Sequence, residues 1–223
     1  MRFSHAVIMA AGRGQRMMPL TEDMPKAMAA HDGSTLIANG IEMLRGVIDN
    51  IHITVGYKGA MLAKHVIEHR VTSIFNTDGK GNSWWLFNTL LKYLDEPVLV
   101  LTCDNIVEVN ANNLLNDYLR QSPACMVVPV KPVQGLDGDY IFHSHGVVTE
   151  LNRKKPSDIY CTGIQIINPS KINKMISPTE NFYDVWKDLI EMKELHCSSV
   201  YPDRWFAVDT VKQLNFLNER KSS

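Results

Sequence analysis

Cysteine is scarce and scattered. Cys103, Cys125, Cys161 and Cys197 form no Cys-x-x-Cys pair, which weighs against a disulfide framework or a zinc-thiolate site and suits reduced thiols in the cytosol. Surplus charge is missing too. A formal net charge of −1 offers no long-range attraction to nucleic acid or to an anionic membrane, so an anionic ligand would have to be held by local positive groups. Apolar runs all fall short of the roughly 20 residues that span a bilayer, and no small-residue cleavage site follows the opening "MRFSHAVIMAAGRG". The expectation is a cytoplasmic protein without nucleic-acid or membrane partners, with a homo-oligomer left open. At 223 residues the chain can build one substantial domain with a full core, and no repeat, linker or low-complexity tract divides it.

The first half alternates strand-like and helix-like segments. "HAVIMAA" is an apolar strand, "STLIANGIEMLRGV" a helix with Ser34 as its N-cap, "NIHITVGYK" a strand, and "AMLAKHVIEHR" a helix. "VTSIFN", the amphipathic helix "NSWWLFNTLLKYL" and the buried strand "PVLVLTCDN" follow. This alternation predicts βαβ units: an α/β, Rossmann-like, mainly parallel sheet flanked by helices. "ACMVVPV", "DYIFHSHG", "VVTELN" and "YCTGIQIIN" add strands, with turns at "GLDGD" and "RKKPSD", so the sheet becomes mixed there. Helices return at "ENFYDVWKDLIEMK" and "TVKQLNFLNER".

Behind the first strand stands "AAGRGQRMMPLTEDMPK", residues 10–26. Gly12-x-Gly14 after a strand invites a dinucleotide-binding reading, but Met17 stands where the third glycine belongs and Pro19 interrupts the helix that should follow. A Walker loop is excluded because no Gly-Lys-Ser/Thr occurs. What remains is a glycine turn whose amides, with Arg13, Arg16 and Lys26, suit a triphosphate chain, or else a solvated basic loop. "HVIEH", residues 65–69, spells an inverted zinc-protease motif but has no third ligand in view, and a solvated helix face accounts for it. "HSH" at 143–145 reads as a strand or turn feature.

The whole phrase "AAGRGQRMMPLTEDMPKAM" resembles the signature of the sugar-phosphate nucleotidyltransferases: Gly12, Gly14 and Arg16, then "PLT" from Pro19, then Pro25 and Lys26. That resemblance implies a nucleotide-diphospho-sugar transferase-like fold without a β-helix extension, with 1–110 as a nucleotide-binding half and 111–223 as an acceptor-binding half of one domain. It implies transfer of a nucleoside monophosphate from a nucleoside triphosphate to a phosphorylated small molecule, in the first instance a sugar 1-phosphate. Ala10, Ala11, Gly12, Arg13 and Gly14 would line the nucleotide, while Arg16, Lys26 and Asp104 would be catalytic. Mg²⁺ would be held by Asp104, at the end of "VLVLTCDN", and by Asp209 in "DRWFAVDT". Each acid also fits a structural role, Asp104 in a turn and Asp209 as the cap of the helix at "TVKQL". Asn76, Gly81, Asn82 and Ser83 in "FNTDGKGNSWW" would read the base, which stays unassigned.

The Asn-Ser and aromatics of that segment look closer to a phosphocholine cytidylyltransferase branch, so a phospho-alcohol acceptor is the alternative. Trp84 and Trp85 either line the acceptor pocket or pack the helix. In "ELNRKKPSDIYCTGIQIIN", Lys154 or Lys155 would ground the acceptor phosphate and Gly163 leave room for it, unless the lysines belong to a basic surface turn. A non-catalytic nucleotide-binding module is the reading from another class.

Overall fold

The structure, a computed structural model, describes residues 2–136 and 138–219. Its first half runs β1 (His5–Met9), α1 (Leu20–Asp23), β2 (Ala30–His31), β3 (Ser34–Thr35), α2 (Leu36–Leu44), β4 (Asn50–Val55), α3 (Gly59–Glu68), β5 (Ser73–Asn76), α4 (Trp84–Asn88), β6 (Val98–Thr102) and β7 (Asn105–Glu108). The second runs α5 (Ala111–Gln121), β8 (Cys125–Val130), β9 (Tyr140–Ser144), β10 (Val147–Asn152), β11 (Tyr160–Ile167), α6 (Pro169–Met175), α7 (Phe182–Glu191), β12 (Leu195–Cys197), β13 (Arg204–Ala207) and α8 (Val211–Glu219).

Among the described residues nine strands form one sheet in the order β5-β4-β1-β6-β11-β8-β12-β10-β9. The four strands of the first half are parallel, and β11 joins β6 antiparallel, which opens the mixed part. Alternation along each strand feeds two cores. Ala6 and Ile8 of β1 and Leu99 and Leu101 of β6 pack toward α2, α3 and α5, whereas Val7, Val98 and Val100 pack toward α4, α6 and α7. The α/β, mainly parallel architecture expected from the alternation is the observed one.

Local details differ from the sequence reading. Thr35, not Ser34, caps α2: its side chain accepts the amide of Ala38 at 3.2 Å, while Ser34 is spent in the β2–β3 pairing. The helix expected over "NSWWLFNTLLKYL" breaks at Thr89. That residue is extended, donates its hydroxyl to the Trp85 carbonyl at 2.8 Å and accepts the Leu91 amide, so a short 3-10 turn replaces the second half. The turn expected at "GLDGD" lies partly outside the described residues, at 137.

The pairing of greatest consequence was not anticipated. β7 and β13 form an antiparallel ladder, Ala207 opposite Asn105, and the Val208 amide donates to the Asp104 carbonyl at 2.9 Å. Strands of four residues carry too little periodicity to be read in advance. The chain leading into β13 is pinned by Asp117 on α5, whose carboxylate accepts the Ser198 hydroxyl, the Ser199 hydroxyl and the Ser199 amide at 2.7, 2.7 and 2.8 Å. Burial works to raise the Asp117 pKa, but these hydrogen bonds outweigh it and hold the carboxyl below its ordinary value. Asp117→Ala strands a half-buried amide and two hydroxyls, so it is expected to cost about 1–3 kcal/mol, read as a lower urea midpoint at unchanged slope.

Candidate active site

The glycine loop is tied to β4 before it turns. The Ala10 amide donates to the carbonyl and hydroxyl of Thr54, each at 3.2 Å, and the Tyr57 amide donates to the Ala11 carbonyl at 3.0 Å. Tyr57 also donates its hydroxyl to the Thr21 carbonyl at 2.9 Å and carries the Arg13 guanidinium over its ring at 5.2 Å. Both ends of the loop thus rest on one tyrosine at the end of β4. Gly12 faces open space, so its backbone is free to meet a ligand. Gly14 has φ +69, and a Cβ there would fall 2.7 Å from the Cβ of Lys26. Only glycine meets both demands. Met17, which spoils the dinucleotide motif, is fully buried in a small core with Ala29, Leu36, Val208 and Leu214. It anchors the loop to the C-terminal helix.

Lys26 is 8% exposed, and its ammonium donates to Asp104 Oδ2 at 2.6 Å and to Asp209 Oδ1 at 2.9 Å. Arg16 reaches the same oxygen of Asp209 at 2.8 Å. Burial alone would pull the Lys26 pKa down, but the two carboxylates outweigh it and hold it above its ordinary value. The ammonium therefore stays charged. Cys103 beside it is pushed up to about 12, first by burial and then by Asp104, and remains a thiol rather than a nucleophile. Asp104 and Asp209 are hard oxygen donors drawn to one point, a set that suits Mg²⁺, which takes one or two carboxylates and completes its shell with phosphate and water. Among the described residues no group of three or more histidine, cysteine or acidic side chains forms a metal cage; His65 instead shares a hydrogen bond with Thr35.

Two adjoining clefts flank Gly12. One is lined by Arg13, Gly14, Arg16, Lys26, Asp104 and Asp209, and the other by Ala11, Thr54, Thr77, Gly81 and Trp85; Met9, Gly12 and Asn82 border both. The loop residues, Lys26 and the two acids are thus brought together, with Gly81 and Asn82 on the far wall. The other expected positions fall elsewhere. Ala10 is buried beneath the loop. Asn76 is exposed, accepts the Asp78 amide at 3.0 Å, and borders a separate groove with Trp84 and Tyr93. Ser83 is fully buried and donates to the Thr179 carbonyl at 2.9 Å, so it fastens the cleft wall. Trp85 packs against Phe182 at 6.4 Å between ring centres.

Gly163, at φ +82, lies against Asn105 and Thr102, so close that a Cβ would come 2.8 Å from Asn105 Nδ2. Lys154 and Lys155 are exposed on the turn after β10. Their amides donate to Asn152, and the Lys155 ammonium sits 3.2 Å from Glu150 and over the Phe142 ring. Arg153 beside them has different company: its Nε donates to Asp139 at 2.9 Å, and the Tyr183 hydroxyl donates to the same carboxylate at 2.7 Å. Sequence reading missed Tyr57, Asp139, Arg153 and Tyr183. Tyr57 could have been found at the end of the strand "NIHITV", whereas no local pattern links Asp139 to Tyr183.

Comparison with known proteins agrees with this geometry. The MobA-like NTP transferase domain matches residues 6–161, from β1 into β11. UTP–glucose-1-phosphate uridylyltransferase of Haloferax volcanii is 28% identical over 177 residues, 74% of this chain and 72% of that protein. Mannose-1-phosphate guanyltransferase of Pichia angusta is 26% identical over 92% of this chain and 61% of its own length. The bifunctional protein GlmU of Methanocaldococcus jannaschii is 29% identical over 67% of this chain, which spans only 35% of it. Among solved structures, the inositol-1-phosphate CTP transferase from T. maritima superposes with TM-score 0.79 at 16% identity, covering 100% of this chain and 96% of that one. CTP:phosphocholine cytidylyltransferase from Streptococcus pneumoniae gives 0.77 at 22%, covering 99% and 100%. Because the matched span contains the glycine loop, Lys26 and Asp104 together, the chain belongs to the MobA-like NTP transferase domain family of nucleotidyltransferases.

Proposed function

We propose that the chain transfers a nucleoside monophosphate from a nucleoside triphosphate to a sugar 1-phosphate, giving a nucleoside diphosphate sugar and pyrophosphate for cell-surface polysaccharide synthesis. The observation that carries this reading is the Lys26 ammonium set between Asp104 and Asp209 beneath the glycine loop. An acceptor phosphate oxygen attacks the α-phosphorus while the bond to the leaving pyrophosphate breaks, so the chain needs no nucleophile of its own and works by positioning and charge. The amides around Gly12 and the Arg16 fork hold the β,γ-phosphates. Lys26, a compact charge on a braced side chain, meets the charge that grows on the α-phosphate. Asp104 and Asp209 would hold Mg²⁺, which when bound neutralises phosphate charge and keeps the reacting oxygens in line. Residues 1–110 supply the nucleotide side and 111–223 most of the acceptor side. The four unpaired thiols support a cytoplasmic setting.

The direct test is pyrophosphate release with each of the four common triphosphates crossed with sugar 1-phosphates and phospho-alcohols. Release only with a phospho-alcohol would overturn the sugar assignment, and no release with any pair would overturn the reaction. Asp104→Asn and Asp209→Asn are each expected to lower kcat about 100-fold or more, the scale lost with a key electrostatic group, and EDTA should stop turnover until Mg²⁺ is restored.

Lys26→Met should lower kcat with little change in the triphosphate KM, since the interaction lost is one that strengthens in the transition state. Arg16→Met should raise KM, because its fork meets phosphates already present in the ground state. Gly14→Ala forces a Cβ toward Lys26 at a positive φ, so it should displace the ammonium and weaken both constants while circular dichroism stays native.

A further inference from the structure

The acceptor side holds a cluster that the proposed chemistry has not used. Asp139 is nearly buried, its side chain 12% exposed, and accepts both the Tyr183 hydroxyl and Arg153 Nε. The Arg153 guanidinium also lies over the Tyr183 ring, 5.5 Å from its centre, and Trp186 meets that ring edge-on at 5.5 Å. A buried carboxylate beside an aromatic face is the combination that binds ammonium groups, quaternary ones included. Here the chain fills the place with its own cation.

The cluster adjoins the cleft wall through its neighbours in the chain rather than lining the cleft itself. Tyr183 follows Phe182, whose amide is held by Asn82 at 2.9 Å, and Asn82 borders both clefts. On the other side the Asp139 carbonyl accepts the Cys161 amide, two residues from Gly163 against Thr102 and Asn105. With Nε tied to Asp139, the arginine turns the outer edge of its guanidinium to the surface; its side chain is 66% exposed. Because Asp139 already compensates its charge, that edge suits hydroxyls better than a second anion.

We propose that Arg153, seated on Asp139 and Tyr183, selects the acceptor: it occupies the cation place, excludes choline-like head groups, and offers its outer edge to the hydroxyls of a phosphorylated acceptor whose head group carries no positive charge, such as a sugar 1-phosphate. The selection by hydroxyls rests on the nucleotidyltransferase reading, whereas the occupied cation place does not. Lys155, on the same turn as Arg153, is paired with Glu150 instead.

The test uses tetramethylammonium as a bare cation probe, followed by tryptophan fluorescence from the neighbourhood of Trp186. Wild type should give no saturable response, while Arg153→Ala and Arg153→Gln should bind the probe at least about tenfold more tightly than wild type, about 1.4 kcal/mol. Adding Tyr183→Leu to Arg153→Ala should remove that binding. In turnover, Arg153→Ala should raise the kcat/KM ratio of phosphocholine over sugar 1-phosphate. Equal responses of wild type and both folded Arg153 variants to tetramethylammonium would overturn the proposal. If no acceptor turns over at all, the nucleotidyltransferase reading fails while the titration still decides whether Arg153 fills a cation place.

Discussion

One ammonium group held between two carboxylates organises this molecule. Lys26 is nearly buried, and a buried charge is tolerated only where partners compensate it. Those partners come from distant parts of the chain: Asp104 is 78 residues away and Asp209 is 183. Bringing both acids to one lysine requires the β7–β13 ladder, since Asp104 and Asp209 both stand at its Asn105–Ala207 end. It also requires the loop to pass very close to the lysine stem, which is why Gly14 has no room for a side chain. With Arg16 also on Asp209 the cluster balances in charge, a combination suited to receiving phosphate groups and a hard cation together.

The large sheet divides the labour. Its parallel strands β5, β4, β1 and β6 end at the two clefts, as open α/β sheets generally present ligands at carboxyl ends. The antiparallel β11 then runs by Gly163, and its Cys161 amide donates to the Asp139 carbonyl. The wall segment 81–83 is joined to 179–182 by hydrogen bonds from Gly81 to Glu180, from Ser83 to Thr179 and from Phe182 to Asn82. Gly81 packs against the Glu180 carbonyl with no space for a Cβ. These contacts fasten segment 81–83, from the first half of the chain, to segment 179–182, from the second.

Legibility in the sequence followed the range of each interaction. The opening loop could be read because its physics is local: glycines, prolines and basic groups at fixed spacing behind an apolar strand. Asp104 and Asp209 could be proposed because each ends an apolar run, although nothing local showed that β7 and β13 pair. Asn76 and Ser83 looked like base readers by residue type alone, and type does not reveal that one faces a different groove while the other is buried against Thr179. The basic turn "NRKK" displayed three cations in a row, and only the fold shows that Arg153 has a carboxylate and a ring beneath it while Lys155 pairs outward with Glu150. Thr89 broke a well-patterned helix because its hydroxyl competed for backbone hydrogen bonds.

Met17 gives the loop a dependence on the order in which the chain is made. Its small core is completed by Val208 and Leu214, which lie far downstream of the loop in the chain. A nascent chain that has emerged only through β7 contains the glycine loop, Lys26 and Asp104, but neither the second carboxylate nor the apolar seat for Met17. The glycine loop thus gains its full apolar support only once α8 has joined the fold. A ribosome-bound intermediate carries the signature without the site.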